Sequence, residues 1–319
     1  MTAVPADDRP HEKPWVGVVA NASSGRGNGR TQVGHLVRAL RARGFRSRIA
    51  WTEDERSALV ARGGGDPGCR CLIAVGGDGT VSALINELPR VPITVLPAGT
   101  ENLFAHHFRL SRDPAKAAAT AAEGLPLRTD LGQSPGRRFS LMAGFGFDAD
   151  VVTRHHAARF RGGTARTTHR AMYVEPVLRS SLAYKFPPIS VAFTNLSTGR
   201  AETLVGATVF VFNLPRYALG LPFAPTALGD DGLLDVVVFR EPGPFRSLHY
   251  LCLVILGLHL SRDDVEHRQV RRAEISATEL VPVQLDGDPA GYLNGGSGSS
   301  WTIQALPGAL DVLAPRPST

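Results

Sequence analysis

Residues Cys71 to Asn86 read C-L-I-A-V-G-G-D-G-T-V-S-A-L-I-N, and the fold is decided by how that stretch changes character. Leu72, Ile73, Ala74 and Val75 are consecutive apolar residues closed off by glycine, the pattern of a strand buried on both faces. After Gly76-Gly77-Asp78-Gly79-Thr80, the residues Val81, Ala83, Leu84, Ile85 and Leu88 form an apolar stripe at helical spacing. The chain therefore turns from strand to helix on glycine. Backbone amides at such a turn crowd around an anion without obstruction from Cβ atoms, and the helix N-terminus adds partial positive charge. The same five residues would also make a plain tight strand-to-helix turn.

Working outward, the pattern repeats. Trp15 to Ala20 reads as a buried strand that empties into the Gly/Ser/Asn-rich loop Asn21 to Gly29, and Val33, Leu36, Val37 and Leu40 mark a helix ending near Gly44. Phe45 to Trp51 predicts a second strand with Thr52 at its end, and Glu53 to Arg62 a second helix. Pro92 to Leu96 predicts a further strand, followed by the loop Pro97 to Asn102 and a helix from Leu103 to His107. Strands alternating with helices at this spacing make a parallel sheet, and ligands of such sheets bind at the strand C-termini, where these loops converge. From Leu127 the texture changes to short β-rich runs: Ile189 to Asn195, Glu202 to Asn213, Leu233 to Arg240, Ala273 to Thr278 and Val281 to Leu285. Helical material is expected near Val151 to Arg179 and Phe245 to His259. The expected architecture is an α/β nucleotide-binding domain over 14–128, to which a tail at 306–319 returns, and a mainly antiparallel β-sandwich over 129–305. Residues 1–13 read as a disordered leader and Gly295 to Ser300 as a flexible loop.

At 319 residues with 43% apolar and 20% charged side chains, the chain is composed for two folded domains rather than for disorder. Its net charge of +6 favours anionic partners. Lys13, Lys116 and Lys185 are its only lysines, so the glycine loops hold no Walker-type phosphate lysine. Cys69, Cys71 and Cys252 are too few for a disulfide scaffold and lack a second pair for zinc, which points to a reducing, cytoplasmic setting. The longest apolar run, Leu248 to Leu260, is interrupted by His249, Gly257 and His259 and is too short to span a bilayer.

Six motifs in order, N-A-S-S-G at Asn21, G-G-D-G-T at Gly76, P-A-G-T-E-N at Pro97, G-F-G-F-D-A at Gly144, D-D-G-L-L-D at Asp230 and Q-L-D-G-D at Gln284, resemble the catalytic family of diacylglycerol kinases, sphingosine kinases and their soluble bacterial relatives. The resemblance implies an NAD-kinase/phosphofructokinase-like first domain and an ATP- and magnesium-dependent lipid kinase. It places Asn21, Ser24, Gly25, Thr52, Gly76, Gly77, Asp78, Gly79, Thr80, Asn86, Gly99, Thr100 and Asn102 around the nucleotide, with the Asp78 carboxylate near magnesium. Asp286 and Asp288 would face it across the cleft, one of them taking the proton of the lipid hydroxyl. Asp231 with the backbone oxygens of Leu228 and Leu233 matches a structural magnesium position. Two residues depart from the family pattern: Ala22 stands where proline is usual, and Asp288 where glutamate is usual.

Plainer roles compete at each site. D-G-D is also a hairpin turn, Asp230-Asp231-Gly232 also a turn, and His106 and His107 fit solvated or capping positions. The basic run Arg154, His155, His156, Arg159, Arg161, Arg166, His169 and Arg170 either docks on anionic headgroups or is a solvated face. The expected partner is a lipid at a membrane surface reached peripherally, with no nucleic acid, and a homodimer stays open. An NAD-type kinase of small molecules and a non-catalytic lipid- or nucleotide-binding protein are the rival functions.

Overall fold

The structure is a computed structural model, and it describes residues 13–21, 29–159, 174–294 and 300–316. In chain order the elements are β1 (Trp15–Ala20), α1 (Gly29–Ala42), β2 (Arg46–Ala50), α2 (Glu53–Gly65), β3 (Cys69–Gly76), α3 (Asp78–Asn86), β4 (Ile93–Pro97), α4 (Leu103–His107) and α5 (Pro114–Glu123). There follow β5 (Leu125–Ser134), β6 (Arg137–Phe139), β7 (Met142–Gly146), α6 (Phe147–Arg159), α7 (Val174–Ala183), β8 (Ile189–Thr194), β9 (Ala201–Gly206), β10 (Thr208–Phe212) and β11 (Leu234–Phe239). The last are α8 (Pro244–Leu256), β12 (Val265–Val270), β13 (Arg272–Ala277), β14 (Val281–Leu285), β15 (Asp288–Leu293) and β16 (Trp301–Ala314).

The first four strands form a parallel sheet in the order β2-β1-β3-β4. Every residue of β1 and β4 is buried, as consecutive apolar runs require when helices cover both faces. On one face Val16, Val18, Leu36, Leu40, Ile73, Leu96 and Ala118 pack together, and on the other Val19, Leu72, Leu84, Ile85 and Phe104.

The remaining strands are mainly antiparallel. The sheet β12-β11-β10-β7-β14-β15 packs against β8, β13 and β16 through a sandwich core of Phe145, Val191, Val209, Val211, Val236, Val238, Ile275, Val283 and Ile303. β16 belongs to both halves of the molecule. It runs antiparallel to β13 at Trp301 to Gln304 and to β5 from Gln304 to Ala314, and it reaches β4 in parallel at Val312. No linker separates the halves; the ten-stranded sheet is continuous from β2 to β9.

The run Glu202 to Asn213, expected as one strand, is two strands in different sheets. β9 pairs with β8, whereas β10 pairs with β7 and β11. The chain changes sheet at Gly206-Ala207, where a Cβ on Gly206 would meet Val238 and the Phe239 carbonyl, so only glycine passes. The leader, the loop 295–299 and most of the first glycine loop lie outside the described residues.

Candidate active site

The loops after β3 and β4 meet at the C-terminal edge of the parallel sheet. Their contact is backbone on backbone: a Cβ on Gly99 would lie 2.5 Å from Gly77 Cα and 2.9 Å from Asn102 Oδ1. Gly76 is equally constrained, because Thr80 folds back over it. Asn102, left-handed at φ 54° and 2% exposed, locks the second loop by accepting from Gly99 N at 2.7 Å and donating to Gly99 O at 2.8 Å. The outcome is a compact floor of amides and glycines with Gly79 exposed at its lip.

Several residues expected at the nucleotide spend their side chains on this architecture. The Asp78 carboxylate accepts from Leu103 N at 3.1 Å and Phe104 N at 3.0 Å, capping α4 and tying the two loops together. Burial pushes its carboxyl above the ordinary range while those amides pull it back. The carboxylate expected near magnesium thus also has a structural task at the start of α4. Thr52 closes a capping box on α2 with Glu55. Asn86 bridges α3 to β6, donating to Ser82 O and Arg138 O and accepting from Arg138 N. Asn21 lies at the end of β1 on the same edge, its amide 3.4 Å from Val75 O. Ser24 and Gly25 are outside the described residues.

The sandwich supplies the facing wall through the tight turn between β14 and β15. Asp286, at φ 52° and 8% exposed, accepts four hydrogen bonds: Ser140 N (2.8 Å) and Ser140 Oγ (3.1 Å) at Oδ2, and Leu141 N (2.7 Å) and Met142 N (3.1 Å) at Oδ1. Burial pushes its carboxyl up to about 6 against the pull of these donors. A carboxylate so saturated holds the turn to β7 and has no lone pair left for an alcohol. Asp288 is the opposite case. Its side chain is 40% exposed, and Oδ2 would lie 3.9 Å from a Cβ built on Gly79, directly over the glycine loop. Arg137 holds it there from β6, one Nη2 reaching Asp288 Oδ2 at 3.3 Å and the buried Ser82 Oγ of α3 at 2.9 Å.

Beneath the turn lies a polar cluster that sequence reasoning did not assign. Gln284, fully buried, accepts from Gly287 N at 2.8 Å and donates to Asp148 Oδ2 at 3.1 Å, which also accepts from Tyr217 OH at 3.2 Å. Burial pushes the Asp148 carboxyl up to about 6. The signal was present, since Gln284 and Asp148 both belong to quoted motifs, but their pairing across 136 residues is a tertiary fact. Arg137 carried no motif at all.

Asp231 stands apart, in the turn that leads into β11. Its Oδ1 accepts from Leu233 N at 3.0 Å, and burial together with the charges of Asp235 and Asp130 raises its carboxyl. With the carbonyls of Leu228 and Leu233, the set that the resemblance implies, it would offer oxygen donors of the kind a hard cation takes. Among the described residues no group of three or more His, Cys, Asp or Glu side chains could hold a metal. Of the basic run, Arg154 pairs with Asp150 at 2.7 Å, and Arg161, Arg166, His169 and Arg170 fall outside the described residues. His106 and His107 line, with Arg109, Leu141, Leu214 and Arg216, a cavity of about 280 Å³ between α4 and the segment after β10. No helix among the described residues is long and apolar enough to cross a membrane.

Glycine loops at a parallel sheet edge, roofed by a carboxylate from an antiparallel sandwich, suit a two-domain protein that binds a phosphate-bearing ligand in the cleft. The comparisons with known proteins name the family. Residues 16–134 match the diacylglycerol kinase catalytic domain, and residues 142–314 the YegS C-terminal NAD kinase beta sandwich-like domain. The chain belongs to the family of diacylglycerol kinases and YegS-like lipid kinases, and it is a lipid kinase by that membership. It is 30% identical over 291 residues to a YegS-like lipid kinase of Pseudomonas syringae pv. tomato, covering 85% of this chain and 84% of that one. To the diacylglycerol kinase of Mycobacterium tuberculosis it is 28% identical over 269 residues, covering 82% and 80%. A solved structure from Bacillus anthracis str. Sterne shares the fold with a TM-score of 0.72 at 20% identity, covering 99% of this chain and 100% of that one.

Proposed function

We propose that this kinase transfers the terminal phosphate of ATP to the hydroxyl of a diacylglycerol-like lipid, with Asp288 as the base. The observation that carries the assignment is the position of Asp288 Oδ2 over Gly79, with Asp286 excluded by its four donors. Amides of the Gly76–Thr80 and Gly99–Asn102 loops hold the phosphates without lysine. Arg137 aims the Asp288 carboxylate from across the cleft. Asp288 Oδ2 accepts the hydroxyl proton as the new oxygen–phosphorus bond forms and ADP leaves. A transition state with little covalent assistance needs this positioning more than basicity, which makes the shorter side chain of Asp288 workable. Magnesium, when bound, neutralises charge on the transferring phosphates. Asp231 with the carbonyls of Leu228 and Leu233 would hold a second, structural magnesium.

The test is Asp288→Asn, assayed with labelled ATP and dispersed diacylglycerol. ATP affinity should stay near that of the parent while kcat falls about 10²–10⁴-fold, and Asp288→Glu should keep activity. Parent-level turnover in Asp288→Asn removes the base assignment. ATP binding without transfer to any lipid, in the parent as well as in Asp288→Glu, favours the non-catalytic reading.

A further inference from the structure

Helix α8 is apolar where it should be polar. Tyr250 and Val254 fasten it to the outer face of the six-stranded sheet, the Tyr250 ring 4.8 Å from that of Phe239. The opposite face is in solvent, yet it carries Phe245 (87% exposed), Leu248 (60%), Ile255 (58%) and Leu256 (67%), with Leu258 (52%) just beyond the helix. Cys252 lies exposed among them. At 100° per residue, positions 245, 248, 252, 255 and 256 fall on one side, and besides the Cys252 thiol His249 is the titratable residue that shares it. An exposed stripe of this kind on a folded domain marks a docking surface.

Charge and size select the occupant. The sequence of α8, P-F-R-S-L-H-Y-L-C-L-V-I-L, contains no carboxylate and two basic side chains, Arg246 and His249. Of the nearby carboxylates, Asp264 and Glu266 are paired with Arg262, Arg240 and Arg268, while Glu241 and Asp263 are exposed. Phe223, whose carbonyl is 2.8 Å from His259 Nε2 behind the end of α8, belongs to a segment that runs back to Pro215 and Arg216 at the basic cavity. That cavity is rimmed by His106, His107, Arg109 and Arg216 and has no carboxylate in its wall. The segment from Pro215 to Phe223 thus joins the basic cavity to the end of α8. A helix of 13 residues is about 20 Å long, too small a strip for the roughly 800 Å² per partner of a stable dimer. It is a suitable size for lying in a bilayer interface, apolar side down.

We infer that α8 is a membrane-docking element, seating Phe245, Leu248, Ile255 and Leu256 in the interface of an anionic bilayer so that the cleft opens toward its lipid substrate. The inference rests on the lipid-phosphorylation reading above.

The molecule carries its own probe. Cys69 and Cys71 are buried, which leaves Cys252, in the centre of the stripe, as the accessible thiol. Labelled there with a polarity-sensitive nitrobenzoxadiazole, the full chain is titrated with vesicles of phosphatidylglycerol and phosphatidylcholine. A blue shift with increased emission is expected, and Leu248→Glu combined with Ile255→Glu should weaken vesicle affinity roughly tenfold or more. Phosphorylation of a short-chain diacylglycerol dispersed as monomers should be the same in parent and double variant, whereas phosphorylation of vesicle-borne lipid should fall in the variant. Vesicle binding without a spectral shift, or binding untouched by the double variant, overturns the proposal. A shift that follows protein concentration without vesicles assigns the face to a second copy and also overturns it. A parent that docks through Cys252 but phosphorylates neither lipid leaves the docking standing and removes the kinase substrate reading instead.

Discussion

Replacing Asp286 separates the two carboxylates of the D-G-D turn. Asp286→Ala strips the acceptor from Ser140 N, Leu141 N and Met142 N at once, and each orphaned buried amide costs about 1–3 kcal/mol. Part of that loss is offset. The parent holds a carboxyl that burial has pushed up to about 6, so removing a charge the interior disfavours returns some of it near neutral pH. The net expectation is a destabilisation of about 3 kcal/mol, a large share of a typical 5–15 kcal/mol. Urea unfolding followed by tryptophan fluorescence reads it, because the Trp301 indole, bonded to Ser134 Oγ at 2.7 Å and 6.3 Å from the Phe145 ring, sits inside the same sandwich. The midpoint should fall clearly, while turnover of the still-folded fraction at low temperature drops far less than in Asp288→Asn. An Asp286→Ala protein that unfolds with the parent's midpoint yet transfers no phosphate would make Asp286 the base and refute the assignment of roles.

Asp78→Ala should lose about 1–2 kcal/mol as the cap of α4 disappears, seen as a thermal midpoint lower by a few degrees together with weaker ATP binding. An unchanged midpoint with abolished turnover would return its carboxylate to the metal. Asp148→Asn keeps the acceptor for Gln284 and Tyr217 but removes a charge that burial disfavours. Because the folded carboxyl lies near 6 and the unfolded one near 4, the parent loses stability as pH rises through that window. Asp148 keeps partial solvent contact, so the variant should be more stable at pH 7–8 by only about 1–2 kcal/mol and have a flatter pH–stability curve between pH 4 and 6.

The parallel half was legible because burial on both faces leaves an unmistakable mark, as in Trp15 to Ala20 and Leu72 to Val75. α5 escaped because its face is alanine, with little contrast between inside and outside, although Asp113 and Pro114 offered a start signal that the structure uses. β16 escaped because Pro307-Gly308 reads as a turn, whereas the chain carries it as a bulge between Leu306 and Leu310. At the site, glycine motifs located the loops. They could not say which carboxylate works, since Asp286 and Asp288 differ only in what a distant strand presents to them: three amides to one, Gly79 and Arg137 to the other.

The long final strand also bears on how the protein is made. Thr94 Oγ1 donates to Leu313 O across 219 residues, and Val312 pairs with Ile93, so the nucleotide half lacks an inner strand until Leu313 has left the ribosome. Non-local pairing of this kind is slow and exposes sticky edges while it waits. β4 therefore spends synthesis as an unguarded edge, and vectorial, half-by-half folding is closed to this topology. Protease digestion of ribosome-stalled chains reads this directly: chains halted before residue 300 should be cut within 13–128, and a protected first half at that length would mean that the edge is guarded by other means.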